Sequence, residues 1–172
     1  MSKKKNKIKE LEKEEIELRN KYASVINLKS KILEAESIAM TNIVETINNH
    51  ARFYLDIFFD VNPISVQLQT FKETKKDSKP CINIFIEYKG MECDLTMLSG
   101  GEISRVILSF TLALSEIFNT PLMLLDECTA SLDEDLTDTV FEGIRENFNG
   151  KLVLIIAHQV VSGKFDRVIT LT

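Results

Sequence analysis

Two stretches decide how this sequence is read. They are Leu98-Ser99-Gly100-Gly101-Glu102, which leads into a helical pattern, and Leu122-Met123-Leu124-Leu125-Asp126-Glu127, an apolar run that closes on two carboxylates. The run Leu122 to Leu125 suits a strand of a parallel sheet covered on both faces. Ligands of parallel α/β sheets bind at the C-terminal ends of the strands, where Asp126 and Glu127 fall. A hard cation takes carboxylate oxygens, so Asp126 is the candidate metal ligand. Glu127 is placed to orient and deprotonate a water. In the first stretch, glycines let backbone approach a ligand closely. Ser99 is placed to cap the helix, and the unbonded N–H groups and dipole of a helix start favour an anion. Taken singly, each stretch has an ordinary reading: a Ser-Gly-Gly loop, and a strand ending in a solvated acidic turn.

Working outward, Ile103, Val106, Ile107, Phe110 and Leu114 give one apolar helical face after Gly101. Pro121 punctuates, and an acidic helix is expected over about Asp133 to Phe148. Leu152 to Ala157 reads as a second buried strand with His158 just past its end, and Val168 to Leu171 as a last strand. Upstream, Ile64, Val66 and Leu68 alternate with polar residues, as do Ile82, Ile84, Ile86 and Tyr88. Lys89-Gly90 supplies a turn into a short strand from Met91 to Leu95, completing an antiparallel meander. The fold class is therefore α/β.

From Ser2 to about Arg52 there is neither proline nor glycine. Ile8, Leu11, Leu18, Tyr22, Val25, Ile32, Ala39 and Ile43 follow a three-four spacing, interrupted by Glu15, Lys29 and Glu36. This predicts a coiled-coil helix of roughly 75 Å at about 1.5 Å per residue. Such a helix needs a partner helix, and the sequence has no second one. The expected organisation is an arm over 1–52 and a globular lobe over 53–172.

Composition sets limits. With 172 residues, 44% of them hydrophobic, a real core is expected, and the net charge of −5 argues against coating nucleic acid by bulk charge. The lysine runs Lys3, Lys4, Lys5, Lys7, Lys9 and Lys72, Lys75, Lys76, Lys79 read best as a frayed end and a solvated loop. Cys81, Cys93 and Cys128 form no C-x-x-C pair, which suits a reducing compartment. The charged N-terminus and the lack of a membrane-length apolar run lead to the expectation of a soluble intracellular protein.

Taken together the motifs resemble the ABC ATPases. Leu98-Ser99-Gly100-Gly101-Glu102 is similar to their signature motif, Leu122 to Glu127 to the Walker B strand, Ala130-Ser131-Leu132-Asp133 to the D-loop, and His158 to the switch histidine. They occur in the family's order and at its usual spacing. The arm running into the signature-bearing lobe, the junction from Asn48-Asn49-His50 to Phe58-Phe59, and glutamate closing the signature resemble the SMC and SbcC-type ATPases in particular. The resemblance is strongest from about Ile82 onward and only compositional in the helix. It implies the C-terminal lobe of an ABC-type P-loop ATPase head, with a β-meander, a signature helix and parallel core strands behind a coiled-coil arm.

The resemblance further implies ATP and Mg²⁺ as cofactors. Glu127 and His158 would be catalytic and Asp126 would hold the metal. Leu98, Ser99, Gly100, Gly101, Glu102 and Asp133 would bind nucleotide, with Ser99, Gly100, Gly101 and Asp133 facing the ATP of an opposing head. No G-x-x-x-x-G-K-[ST] loop occurs; Gly163-Lys164 is followed by Phe165. The chain is therefore expected to be a piece of a longer protein or half of a split one. Its implied partners are an N-terminal Walker A lobe, a second head, DNA and a nuclease subunit, with no membrane. The implied role is double-strand-break repair or chromosome organisation, DNA-associated in nucleus or cytoplasm. The rival readings are a structural head that binds ATP without turnover, and the nucleotide-binding subunit of an ABC transporter.

Overall fold

The computed structural model describes residues 2–72, 80–157 and 163–170. The element order is α1 (Ser2–Phe58), β1 (Ile64–Lys72), β2 (Pro80–Tyr88), β3 (Met91–Cys93), α2 (Gly100–Ile117), β4 (Leu122–Asp126), α3 (Glu134–Asn147) and β5 (Leu152–Ile156). A 3-10 turn, Leu95–Met97, takes the place of the last part of the strand expected from Met91 to Leu95. The fold is mixed α/β, with a long first helix, an antiparallel sheet and a parallel sheet.

The chain divides into two compact units, Met1–Asn42 and Ile43–Thr172. The first is helical, and its apolar stripe is open to solvent: Leu18, Tyr22 and Val25 are each more than 60% exposed. Local pairs support the helix, as between Arg19 and Glu15 at 2.8 Å. Exposed i,i+4 pairs of this kind contribute about 0.3–0.5 kcal/mol.

In the second unit the last turns of α1 bring Ala51, Tyr54, Leu55 and Phe58 into a core shared with Ile86 of β2, Leu112 of α2 and Val140 and Phe141 of α3. The helix therefore runs on past Arg52, because its final stripe is a core stripe. Gly143 of α3 faces the end of α1, where a Cβ would make an ordinary contact 3.5 Å from the Phe58 ring. Asn48 serves the exposed edge of β1 as a neighbouring strand would. Its amide nitrogen donates to the Leu68 carbonyl at 2.9 Å, and its oxygen accepts from the Leu68 amide at 2.8 Å.

The meander pairs as its alternation predicts, with Ile64 opposite Tyr88 and Val66 opposite Ile86. Lys89 (φ 54°) and Gly90 (φ 76°) both take the left-handed region that a two-residue turn of the I′ kind requires. In the second sheet, β4 and β5 run parallel, Leu122 opposite Leu152 and Asp126 opposite Ile156.

Two expectations are corrected. The strands β4 and β5 are not covered on both faces. Met123 and Leu125 are buried, whereas Leu122, Leu124, Leu152, Leu154 and Ile156 are 46–67% exposed. Nothing among the described residues forms a layer over that face, so the continuous apolar run has only one side to bury. Nor do Val168 and Ile169 form a strand; they are exposed and find no ladder partner among the described residues, and Leu171 lies outside them. A strand forms only through its ladder.

Candidate functional site

The start of α2 is built by its own sequence. Ser99 is the N-cap, and its Oγ accepts from the Glu102 amide at 3.3 Å. Glu102 reaches back in turn, its Oε2 accepting from the Ser99 amide at 2.7 Å, which closes a capping box. Leu98, buried just before the cap, anchors the turn in the core. The Ser99 hydroxyl uses an oxygen lone pair in this box and keeps its proton to donate. The amides of Gly100 and Gly101 have no acceptor among the described residues.

The two glycines have different reasons for being there. A Cβ on Gly101 would lie 2.7 Å from the Ser131 carbonyl oxygen, so a bare Cα is needed for the 129–132 turn to pack against the helix. A Cβ on Gly100 would meet nothing within 4 Å, and its φ is not positive. Neither packing nor backbone conformation asks for glycine at 100. Open space before unbonded amides and a hydroxyl donor suits an anion such as a phosphate group.

Glu102 carries a further partner. The Tyr88 hydroxyl donates to its Oε1 at 2.6 Å. That bond and the Ser99 amide hold the Glu102 carboxyl down at about 2. The same contact raises the Tyr88 phenol. Arg105, one turn into α2, donates to the Phe58 carbonyl at 2.7 Å and stacks on the Phe59 ring at 4.2 Å. Sequence reasoning missed both Tyr88 and Arg105. One signal was present: Arg105 is the lone basic residue in α2.

At the head of β4, Asp126 and Glu127 are exposed. Glu127 has φ 48°, a left-handed conformation that costs a non-glycine residue about 1–2 kcal/mol. It is held there from both sides. Its amide donates to the Ile156 carbonyl of β5 at 2.8 Å, and its carbonyl accepts from Ala130 at 3.0 Å. Strain of this kind clusters at functional sites. Burial pushes the neighbouring Cys128 thiol up, away from thiolate chemistry. Asp133 is the N-cap of α3, its carboxylate accepting from the Leu136 amide at 2.9 Å.

The structure thus joins the start of α2 to the turn that follows Glu127, through Gly101 and Ser131. His158 lies outside the described residues, as do Lys75, Lys76 and Lys79. Among the described residues no group of three or more His, Cys, Asp and Glu could hold a metal. A nucleotide-bound Mg²⁺ needs only one or two carboxylates besides phosphate oxygens and water, so Asp126 fits that lighter demand. No helix among them is long and apolar enough to cross a membrane.

No family model matches the chain. It is 46% identical over 176 residues to the uncharacterized protein 050L of Invertebrate iridescent virus 6, spanning 95% of this chain and 16% of that protein. It is 29% identical over 136 residues to the DNA double-strand break repair Rad50 ATPase of Archaeoglobus fulgidus, spanning 76% of this chain and 15% of that protein. Its structure is similar to the Smc head domain with a coiled coil and joint from Pyrococcus yayanosii. That likeness has a TM-score of 0.69 at 21% identity and covers 86% of this chain and 28% of that one. The chain spans less than a fifth of the length of these two sequence relatives.

Proposed function

We propose that this chain, SMC/Rad50-like in fold and in sequence, is the signature-bearing lobe of an ABC-type ATPase head. In this reading it binds and hydrolyses ATP between two heads. The observation that carries the reading is the first turn of α2, with its donors unbonded and open space before Gly100.

Each residue then has a task. The Ser99 hydroxyl and the Gly100 and Gly101 amides bind the terminal phosphate of the ATP held by the opposing head. Leu98 and Glu102 fix that turn, and Asp133, through its cap on α3, fixes the loop that faces the same nucleotide. Asp126 holds Mg²⁺ for the ATP on its own head. Glu127 orients the attacking water and accepts its proton, and His158 contacts the terminal phosphate of that ATP on its own head. When bound, Mg²⁺ supplies neutralisation of phosphate charge and polarisation of its oxygens. Contacts made only in the closed pair shift the heads toward closure.

The open apolar face of β4 and β5 supports a covering layer, which we assign to the Walker A lobe. We assign residues 1–52 to a coiled-coil arm and 53–172 to the head lobe. The likeness to a protein named for double-strand break repair and to Smc heads supports a role on DNA, in break repair or chromosome organisation. A nuclease subunit is the further partner of the repair form. The chain would act in the nucleus or cytoplasm.

The reading is tested by ATP-driven pairing of heads assembled from this chain and a Walker A lobe. Ser99→Arg is expected to abolish pairing while ATP binding persists. Pairing that survives in Ser99→Arg contradicts the assignment of the α2 start.

A further inference from the structure

The first turn of α2 is held from two sides by residues outside the motif. On one side Tyr88, the last residue of β2, donates to Glu102 at 2.6 Å. On the other, Arg105 donates to the Phe58 carbonyl, at the end of α1, at 2.7 Å. Its Nε also reaches the Gly101 carbonyl at 3.4 Å. The guanidinium lies 4.2 Å over the Phe59 ring, and Phe59 meets Tyr88 edge-on with centroids 6.4 Å apart. Glu102, Tyr88, Phe59 and Arg105 thus form a closed circuit that returns to the helix three residues from where it left.

The end of a helix leaves carbonyls without intrahelical donors. A cation is favoured there by the helix dipole, and α1 has no basic residue in its own last turn. Arg105 supplies that missing cation from a different helix. Only a planar guanidinium can bond the Phe58 carbonyl and stack on Phe59 together; a lysine ammonium keeps the charge but not the stacked fork.

We propose that Arg105 is a positioning residue, which registers the phosphate-facing turn of α2 on the end of α1. The proposal rests on the reading of that turn as a phosphate contact. Arg105 touches no nucleotide. It sets where the Ser99 hydroxyl and the Gly100 and Gly101 amides stand when the heads meet. Placement errors of about 1 Å at such donors cost on the order of 100-fold in rate.

The experiment uses this chain co-expressed with a Walker A lobe, and Mg-ATP as the probe. Arg105→Gln is expected to lower kcat by about tenfold or more with KM for ATP within about twofold, because the ATP of each head is bound by the other lobe. Arg105→Lys is expected to fall between it and the wild type, and Phe59→Leu to lower kcat in the same direction. Thermal unfolding of each variant reports folding separately. If Arg105→Gln fails to assemble, the Arg105→Lys and Phe59→Leu pair decides. Wild-type kcat in the folded variants overturns the proposal. The Ser99→Arg control separates the two levels. If it abolishes turnover while the Arg105 and Phe59 variants stay active, the positioning role alone is wrong. If Ser99→Arg is also fully active, the phosphate reading beneath it has failed.

Discussion

Tyr88 and Glu102, on different elements, share a hydrogen bond of 2.6 Å, and Glu102 spends its other oxygen on the Ser99 amide. One carboxylate therefore ties the end of the meander to the cap of α2. Its consequence is a pH dependence of known sign. The folded carboxyl sits at about 2, below the ordinary value of 4.5. A depressed acid contributes stability that is present above the unfolded pKa and lost as pH falls toward the folded one. The stability difference between wild type and Glu102→Gln is expected to shrink as pH falls from about 5 to about 2. Tyr88→Phe is expected to raise the Glu102 midpoint, read by carboxyl carbon NMR. An unmoved midpoint would contradict the tie.

Gly100 and Gly101 are adjacent but are expected to respond oppositely to alanine. Gly101→Ala drives a methyl onto the Ser131 carbonyl. Overpacking against backbone costs about 1–3 kcal/mol, seen as a lower urea midpoint. Gly100→Ala is expected to leave the midpoint in place and to impair ATP-driven pairing, since its methyl enters open space. Equal destabilisation by both would remove the distinction.

Glu127 trades stability for position. With φ at 48°, Glu127→Gly relieves the strained backbone. A net gain of ~0.5–1 kcal/mol is expected in chemical unfolding, together with loss of hydrolysis in the assembled head. A variant both less stable and fully active would show that the strain has no function.

Tyr54 is fully buried, and its hydroxyl, near the Glu116 carboxylate, makes no well-formed hydrogen bond among the described residues. Burial first, then the Glu116 carboxylate, pushes the phenol above its ordinary range. Glu116 is itself occupied by His50 at 3.1 Å. Tyr54→Phe removes an unsatisfied polar atom and keeps the ring. Its unfolding midpoint is expected to be unchanged or raised, by up to about 1 kcal/mol. Clear destabilisation would mean the hydroxyl is bonded in solution.

Local pattern made much of this fold legible. Ile82, Ile84, Ile86 and Tyr88 alternate and pair; Lys89-Gly90 turns; Ser99 caps the helix that follows it. What escaped was tertiary. The run Leu122 to Leu125 cannot tell one covered face from two, because apolarity records the layer a strand expects rather than the one this chain contains. Val168 and Ile169 have strand-forming side chains but no partner edge among the described residues. Arg105 and Tyr88 were invisible as braces because their partners, the Phe58 carbonyl and Glu102, lie on other elements. The candidate site was visible as residue types in order. The difference between Gly100 and Gly101 was not, since it depends on where Ser131 folds back.

The most direct test of the central claim is Mg²⁺-dependent ATP hydrolysis by this chain, alone and assembled with a Walker A lobe. The account predicts turnover only in the assembly, abolished by Glu127→Gln with ATP binding retained. A well-folded assembly that binds ATP without turnover, or one in which Glu127→Gln hydrolyses at the wild-type rate, would contradict it.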